Sequence, residues 1–135
     1  MAGWRDLELG APTIAREGRR LLYARGDGEA LLGTVRGAAG LPRIHPINIG
    51  IVGGELVAFL LDSAKRVDLE RDGRYALHTH QDADAPDELS LRGRARLVTD
   101  PELRSAAAAA WPFEVGGRFE YELFAFGIES AILGL

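Results

Sequence analysis

The sequence predicts a mainly β domain of the α+β kind, in which six mostly antiparallel strands form a small barrel flanked by short helices. Three observations predict it. Glu88–Val98 alternates apolar and polar side chains with the two-residue period of a half-buried strand. Gly53 and Gly54 separate two β-rich segments, as the turn of a hairpin does. A last segment, Phe119–Leu133, is apolar on both faces, which favours a closed barrel covered outside by a helix or a second subunit.

The first half of the chain contains one predicted helix and three predicted strands. Pro12–Tyr23 places apolar residues among charged ones, and a proline suits the first turn of a helix. Ala30–Arg36 is an apolar segment that ends in glycine and is predicted as the first strand. The second and third strands are the two arms of the predicted hairpin, Arg43–Ile51 and Glu55–Leu61.

The second half begins with a helix. Ser63 is the predicted N-cap of Ala64–Asp72, and Gly73 ends this helix. Arg74–Gln81 alternates as a fourth strand, and the segment from Glu88 is the fifth. Asp100 followed by proline begins an alanine-rich helix, Pro101–Trp111. The apolar segment near the C-terminus is the sixth strand.

Composition restricts the class of protein. A chain of 135 residues predicts one domain, spanning residues 1–135. The absence of cysteine excludes disulfides and thiolate metal sites. The opening MAGWRDLELG does not resemble a secretory signal, and no apolar segment has the length of a membrane span. We therefore expect a soluble, cytoplasmic protein without a membrane partner.

The net charge of −4 disfavours nucleic acid as a partner. One basic feature needs an explanation, because Arg92, Arg94 and Arg96 share the polar face of the fifth strand. We interpret this row of arginines as the solvated exterior of the barrel, in preference to a nucleic-acid surface.

The start of the Ser63 helix has an unusual charge. Helix N-termini carry partial positive charge, so Lys65 and Arg66 in the first turn oppose the helix dipole. One interpretation is an anion site, in which a phosphate is bound by the helix N-terminus, the Ser63 hydroxyl and the Lys65 ammonium. The other is two solvated basic side chains, partly balanced by Asp62 and by Asp68 or Glu70 further along the helix.

A pair of histidines offers a second candidate site. His78 and His80 would share one face of the fourth strand, and Glu88 or Asp82 could complete a metal site with them. The alternative is a pair of ordinary histidines at a strand end beside an acidic loop. We favour that alternative and predict no metal.

The order of several segments resembles a known family. These segments are LLGTVRG, GLPRIHPI, the Gly-Gly hairpin, DSAKRVDLERDGRYAL, ELSLRGRARLV and a helix that begins with DPEL. Together they resemble the pyridoxamine 5′-phosphate oxidase-like, FMN-binding split-barrel family over about residues 15–133. The resemblance implies a six-stranded antiparallel split barrel that forms a two-fold homodimer, with two flavin sites built at the subunit interface from both chains.

The resemblance also implies the residues of a flavin site. Family members hold the flavin phosphate with a basic residue of the second strand and a Ser-Arg-Lys turn after the third. The matching residues here are Arg43, Ser63 and Lys65, while Ala64 replaces the central arginine and Arg66 is its nearby substitute. Backbone of the second strand approaches the flavin ring in the family, and a glutamine begins the fifth strand. The residues at those positions are His45, Pro46, Ile47, Asn48 and Glu88.

The implied function is an FMN-dependent oxidoreductase acting on an unidentified small-molecule substrate, with a deazaflavin as a second candidate cosubstrate. True pyridoxamine phosphate oxidation is not expected, because a chain ending at Leu135 lacks the longer C-terminal segment that carries the pyridoxal-specific residues. No catalytic residue is predicted. The alternative is a non-enzymatic flavin-, deazaflavin- or haem-binding or sensor protein on the same fold, which Ala64 and Glu88 motivate.

Overall fold

The computed structural model describes residues 2–116 and 120–135. Within these residues, seven strands form one antiparallel sheet in the order β2-β1-β5-β6-β7-β4-β3. The strands are β1 Glu29–Arg36, β2 Leu41–Asn48, β3 Gly50–Val52, β4 Glu55–Leu61, β5 Arg74–His78, β6 Glu88–Leu97 and β7 Tyr121–Gly134. The helices are α1 Trp4–Gly10, α2 Pro12–Leu22, α3 Ala64–Arg71 and α4 Pro101–Ala110. The prediction of a mainly β, antiparallel split barrel with short helices is confirmed.

The two edges of the sheet, β2 and β3, are consecutive in the chain and meet at Ile49. The Ile49 N–H donates to the Gly28 carbonyl at 3.1 Å, which bends the chain away from β1 and toward β4. The predicted strand Arg43–Ile51 is therefore wrong as one strand, because it forms two, and the predicted count of six strands becomes seven.

The predicted hairpin is also shorter than expected. Gly53 and Gly54 both have positive φ angles, +58° and +77°, as a tight hairpin turn requires. Only Gly50–Val52 pairs across this turn with β4, however, since β2 pairs along its whole length with β1. The long arm of the predicted hairpin thus belongs to the other side of the barrel.

Three predicted helices are confirmed to within one residue, whereas α1 was not predicted. It has seven residues, which is too short for periodicity to reveal or for isolated stability. Tertiary contacts hold it: Trp4 is fully buried, and the Arg5 N–H donates to the Gly54 carbonyl at 3.0 Å. The helix therefore depends on the hairpin turn that it covers.

The alternation predicted for β6 is confirmed over most of its length. Leu89, Leu91, Gly93 and Ala95 are buried, and the three arginines are exposed. Leu97 was predicted to face inward but is exposed. The alternation is continuous despite a register shift between Arg92 and Gly93 in the pairing with β7.

The last strand is buried on both faces along one stretch, Leu123–Phe126, as predicted. It lies between β6 and β4. The prediction that it begins at Phe119 lies outside the described residues, and Ile132 near its end is 58% exposed. Of the helices that the structure describes, none is long and apolar enough to cross a membrane.

Candidate functional site

A cavity of about 500 Å³ opens where the end of β2, the end of β4 and the start of α3 meet. Pro46–Asn48 forms one wall, Phe59–Leu61 forms another, and Lys65 stands at the helix end. The remaining wall includes aromatic, basic and acidic side chains, among them Phe113, Tyr121, Arg25, His80 and Glu29. The cavity therefore combines an apolar, aromatic interior with basic groups at its margin, which is typical of a ligand site.

The structure brings together part of the predicted site. Pro46, Ile47 and Lys65, all predicted as flavin-binding residues, line the cavity. Asn48 lines it too. Ser63 and Arg66 flank Lys65 in the chain at the start of α3. The strand end and the helix start that the sequence singled out are therefore neighbours in space.

The start of α3 has no side-chain cap and no acidic residue in its first turn. Ser63 is the N-cap residue, as predicted, but its hydroxyl donates to the Leu61 carbonyl at 3.0 Å and does not cap the helix. Lys65 forms no ion pair with any residue that the structure describes. Free backbone N–H groups and a free ammonium thus lie together beside the cavity.

Arg66 is partly committed to its own helix. Its Nε donates to Glu70 at 3.0 Å, one turn further along. One terminal nitrogen, Nη1, is buried and has no hydrogen-bond partner among the described residues. The side chain is 17% exposed. Because a buried guanidinium nitrogen without a partner is costly, a further acceptor would be stabilising here.

Arg43 belongs to a buried network. Its Nε lies 3.3 Å from Asp68 Oδ2, within ion-pair distance, but has no hydrogen-bond partner among the described residues. The Thr34 hydroxyl donates to the same carboxylate oxygen at 2.8 Å. His45 Nε2 lies 3.1 Å from Thr34 Oγ1. Of the two acids offered as balancing the basic turn, Glu70 pairs with Arg66, whereas Asp68 is 3% exposed and lies beside Arg43. Asp68 instead connects α3 to β1 and β2.

The surroundings of His45 lower its pKa from the ordinary value of 6.5. Burial is the main cause, because it disfavours the charged imidazolium, and the positive charges of Lys65 and Arg43 act in the same direction. Asp68 opposes them. His45 is therefore neutral at pH 7.

The lowered pKa predicts that His45 makes the fold less stable in acid. Below pH 6.5 the unfolded chain binds a proton on His45, whereas the folded chain does not. The free energy of unfolding therefore decreases as the pH is lowered, until the pH passes the folded-state pKa of His45. Urea unfolding between pH about 7.5 and about 5.5 measures this slope. We expect His45→Gln to reduce the slope of the free energy of unfolding against pH. Lys65→Ala should narrow the pH range of this slope, because it removes a positive charge that lowers the pKa of His45. An equal slope in His45→Gln would show that other groups cause it.

Glu88 lies in a different network from Lys65. Its Oε2 lies 3.1 Å from His78 Nε2 and accepts from Gln81 Nε2 at 2.9 Å. Among the described residues, the cavity wall includes His80 but neither His78 nor Glu88. β5 ends at His78, so His80 lies beyond the strand, but the predicted alternation continues, with Thr79 buried between two half-buried histidines. In the described part of the chain, no three or more histidine and acidic side chains converge as metal ligands would.

Several site residues were not predicted. Thr34 is polar on the inward, otherwise apolar face of β1, and that exception was the available signal. Asp68 stood in a helix rich in charge, where nothing distinguished it from a solvated acid. Arg25, Phe113 and Tyr121 reach the cavity from separate loops and a strand end. Only the folded topology brings these three together.

No family model matches the sequence, and no curated protein matches it either. Solved structures do. The protein Atu2129 of Agrobacterium tumefaciens, described as of unknown function, has a TM-score of 0.67 and 22% identity, and the match covers 88% of this chain and 55% of that one. This chain therefore spans about half the length of Atu2129.

Two further structures have similar folds. A putative pyridoxamine 5′-phosphate oxidase of Listeria innocua has a TM-score of 0.68 and 15% identity, over 87% of this chain and 95% of that one. HutZ, the haem storage protein of Vibrio cholerae, has a TM-score of 0.69 and 14% identity, over 87% and 92%. Such identities establish the fold only. The chain has the pyridoxamine 5′-phosphate oxidase-like split-barrel fold, which is shared by proteins described as a putative pyridoxamine 5′-phosphate oxidase and as a haem storage protein.

Proposed function

We propose that the protein is an FMN-dependent oxidoreductase that binds the flavin in the cavity between β2, β4 and α3. The observation that carries the proposal is Lys65: it is unpaired among the described residues, it stands on an uncapped helix N-terminus, and it lines the cavity described above. A phosphate monoester is the ligand group that this arrangement suits best.

The residues at the start of α3 fit the flavin phosphate unequally. Lys65 and the backbone N–H groups are available to it. The partnerless Nη1 of Arg66 would gain an acceptor, so Arg66 could take the role of the arginine that Ala64 replaces. The Ser63 hydroxyl would have to leave the Leu61 carbonyl. Arg43 is already paired with Asp68, so we assign it to orienting α3 and to supplying positive charge nearby.

The walls of the cavity fit an isoalloxazine ring. Pro46 and Ile47 offer apolar contact along β2, and Phe59, Phe113 and Tyr121 offer aromatic faces and edges. The bound flavin would supply hydride or electron transfer, while the protein would provide orientation and exclude water. A deazaflavin cosubstrate could use the same apolar walls. Glu88, tied to His78, would reach a flavin only if a second subunit presented it.

We also propose that the chain forms a homodimer through the outer face of β1, β2 and β5. The outward positions there are largely apolar or small, and Ile44 is 76% exposed. Gly33 pairs with Ile44 on one side and Ala76 on the other, which leaves a shallow, apolar centre. A two-fold partner would bury this face and bring a second copy of each site residue close to the first cavity.

The second candidate is a non-enzymatic binder of haem or another ligand. Two observations favour it: His80 is in the cavity wall, and the two side chains expected to assist the flavin, Arg43 and Glu88, are engaged with Asp68 and His78. An imidazole in an apolar cavity is a common haem ligand.

The absorbance spectrum of freshly purified, untagged protein separates the two candidates. Flavin bands, with FMN identified by mass spectrometry after denaturation, would support the first, and a haem band lost in His80→Ala would support the second. NADPH or reduced-deazaflavin turnover with an added acceptor would show enzymatic activity. A protein that neither contains nor binds FMN would overturn the first proposal.

Lys65→Ala is expected to weaken FMN binding by about tenfold or more, because it removes a charge-assisted contact to the phosphate. Riboflavin, which lacks the phosphate, should bind wild type and variant equally. Fluorescence titration with both ligands measures the difference. Arg71→Ala is the matched control, since it removes an exposed positive charge from the last turn of the same helix. Equal loss of FMN and riboflavin affinity would contradict a phosphate role.

A further inference from the structure

We propose that Thr34 and Asp68 are positioning residues for His45: they hold its imidazole in the Nε2–H tautomer and leave Nδ1 as a hydrogen-bond acceptor for a ligand that carries an N–H or O–H donor. Side chains from β1, β2 and α3 form this chain of contacts. His45 does not line the cavity itself, but it directly precedes Pro46, which does.

Asp68 fixes the direction of the Thr34 hydroxyl proton. The carboxylate lies 3.3 Å from the Arg43 guanidinium, which is always protonated. Asp68 is therefore ionised and can only accept hydrogen bonds. Because it lies 2.8 Å from Thr34 Oγ1, the single hydroxyl proton of Thr34 must point at Asp68.

Thr34 in turn fixes the tautomer of the His45 imidazole. With its proton used, Thr34 Oγ1 can only accept from His45 Nε2 at 3.1 Å. Nε2 must then carry a proton. His45 is neutral at pH 7, because burial and the nearby charges of Lys65 and Arg43 disfavour the imidazolium. A neutral imidazole has one N–H, so Nδ1 carries a lone pair.

The other ring nitrogen of His45, Nδ1, is accessible. His45 Nδ1 has no hydrogen-bond partner among the described residues, and it is not one of the buried polar atoms left without one. It therefore reaches solvent. The charged groups that face His45 are Lys65 and Asp68 from α3 and Arg43 from β2. Lys65 in the cavity wall and His45 behind that wall thus offer a cation and a neutral hydrogen-bond acceptor close together.

Thr34 orients the His45 ring without contacting a ligand itself. The placement is costly unless every bond is made, because Thr34 is 2% exposed and Asp68 is 3% exposed. A buried polar chain that ends on an accessible ring nitrogen is what a positioning role requires.

Nitrogen-15 NMR of histidine-labelled protein at pH about 7.5 tests the proposal directly, because the two tautomers have different ring-nitrogen shifts. The chain has three histidines, and His45→Gln identifies the signals of His45. Wild type is expected to show His45 protonated on Nε2 only. Thr34→Val should convert His45 to a mixture of tautomers, whereas Thr34→Ser, which keeps the hydroxyl, should retain the wild-type pattern.

Thr79→Val is the matched control. Thr79 is as buried as Thr34, and its hydroxyl bonds the Leu89 backbone, away from His45. This variant should leave the His45 signals unchanged. An Nδ1–H or doubly protonated His45 in wild type, or a pure Nε2–H pattern in folded Thr34→Val, overturns the proposal. If Thr34→Val does not fold, the wild-type tautomer and its retention in Thr34→Ser still decide the question.

Discussion

Gly28→Ala is expected to lower the free energy of unfolding by about 3 kcal/mol, the upper end of the usual cost of overpacking. A Cβ atom at Gly28 would lie 1.8 Å from the Ile49 carbonyl oxygen and 2.9 Å from its carbon. These are backbone atoms, which cannot rotate away as a side-chain end can. The Ile49 N–H also donates to the Gly28 carbonyl, so any displacement stretches the contact that bends β2 into β3.

The effect should reach the cavity, because Pro46–Asn48 immediately precedes the bend and forms one wall. We therefore expect ligand affinity and stability to fall together in Gly28→Ala. Gly10→Ala is the control: a Cβ there meets no atom within 4 Å, and alanine favours the end of a helix more than glycine does. Urea unfolding measures both variants. A stability of Gly28→Ala equal to that of Gly10→Ala would mean that β2 and β3 do not approach as closely as described.

The same contact explains where prediction of the fold from sequence failed. Alternation in Glu88–Leu97 is a local property, so the strand could be predicted with nearly its observed bounds. Asn48 and Gly50, on either side of Ile49, are the local signal of a break. The prediction ignored it because Ile47, Ile51 and Val52 continue the β-branched pattern. The break results from a close approach to a glycine 21 positions earlier in the chain. Periodicity contains no information about such a contact.

The candidate site divides in the same way. Lys65 could be placed at a helix N-terminus because the cap residue Ser63, the first turn and the terminating Gly73 belong to one short segment of the sequence. The pairing of Asp68 could not be predicted, because it depends on the register that sets Thr34 opposite Arg43 in β1 and β2. Resemblance named Arg43 as a ligand of phosphate, whereas the structure gives it a buried carboxylate as partner. Arg43 can have both partners only if Asp68 contacts one side of the guanidinium and the phosphate contacts the other.

Asp68→Ala is expected to lower the free energy of unfolding by about 3 kcal/mol, the lower end of the range for removing one partner of a buried ion pair. The lower end applies because Arg43 is 30% exposed and water can partly replace the carboxylate. Thr34, 2% exposed, would lose the acceptor of its hydroxyl, and α3 would lose its polar link to β1 and β2. We also expect FMN or phosphate affinity to rise in the folded fraction, because the freed Arg43 adds positive charge beside Lys65.

Glu70→Ala is the matched control, since Glu70 is on the same helix and pairs with Arg66 while 47% exposed. Water can reach Glu70 although Arg66 is largely covered, and an i,i+4 pair on a helix contributes about 0.5 kcal/mol or less. Urea unfolding gives both stabilities, and titration with inorganic phosphate gives the affinities. Equal, small losses of unfolding free energy in the two variants would mean that Asp68 is solvated. Asp68 would then neither hold Arg43 in a buried ion pair nor orient His45 through Thr34. A large loss confined to Asp68→Ala would instead identify this carboxylate as the group that stabilises the fold beside the site and sets the charge of the site itself.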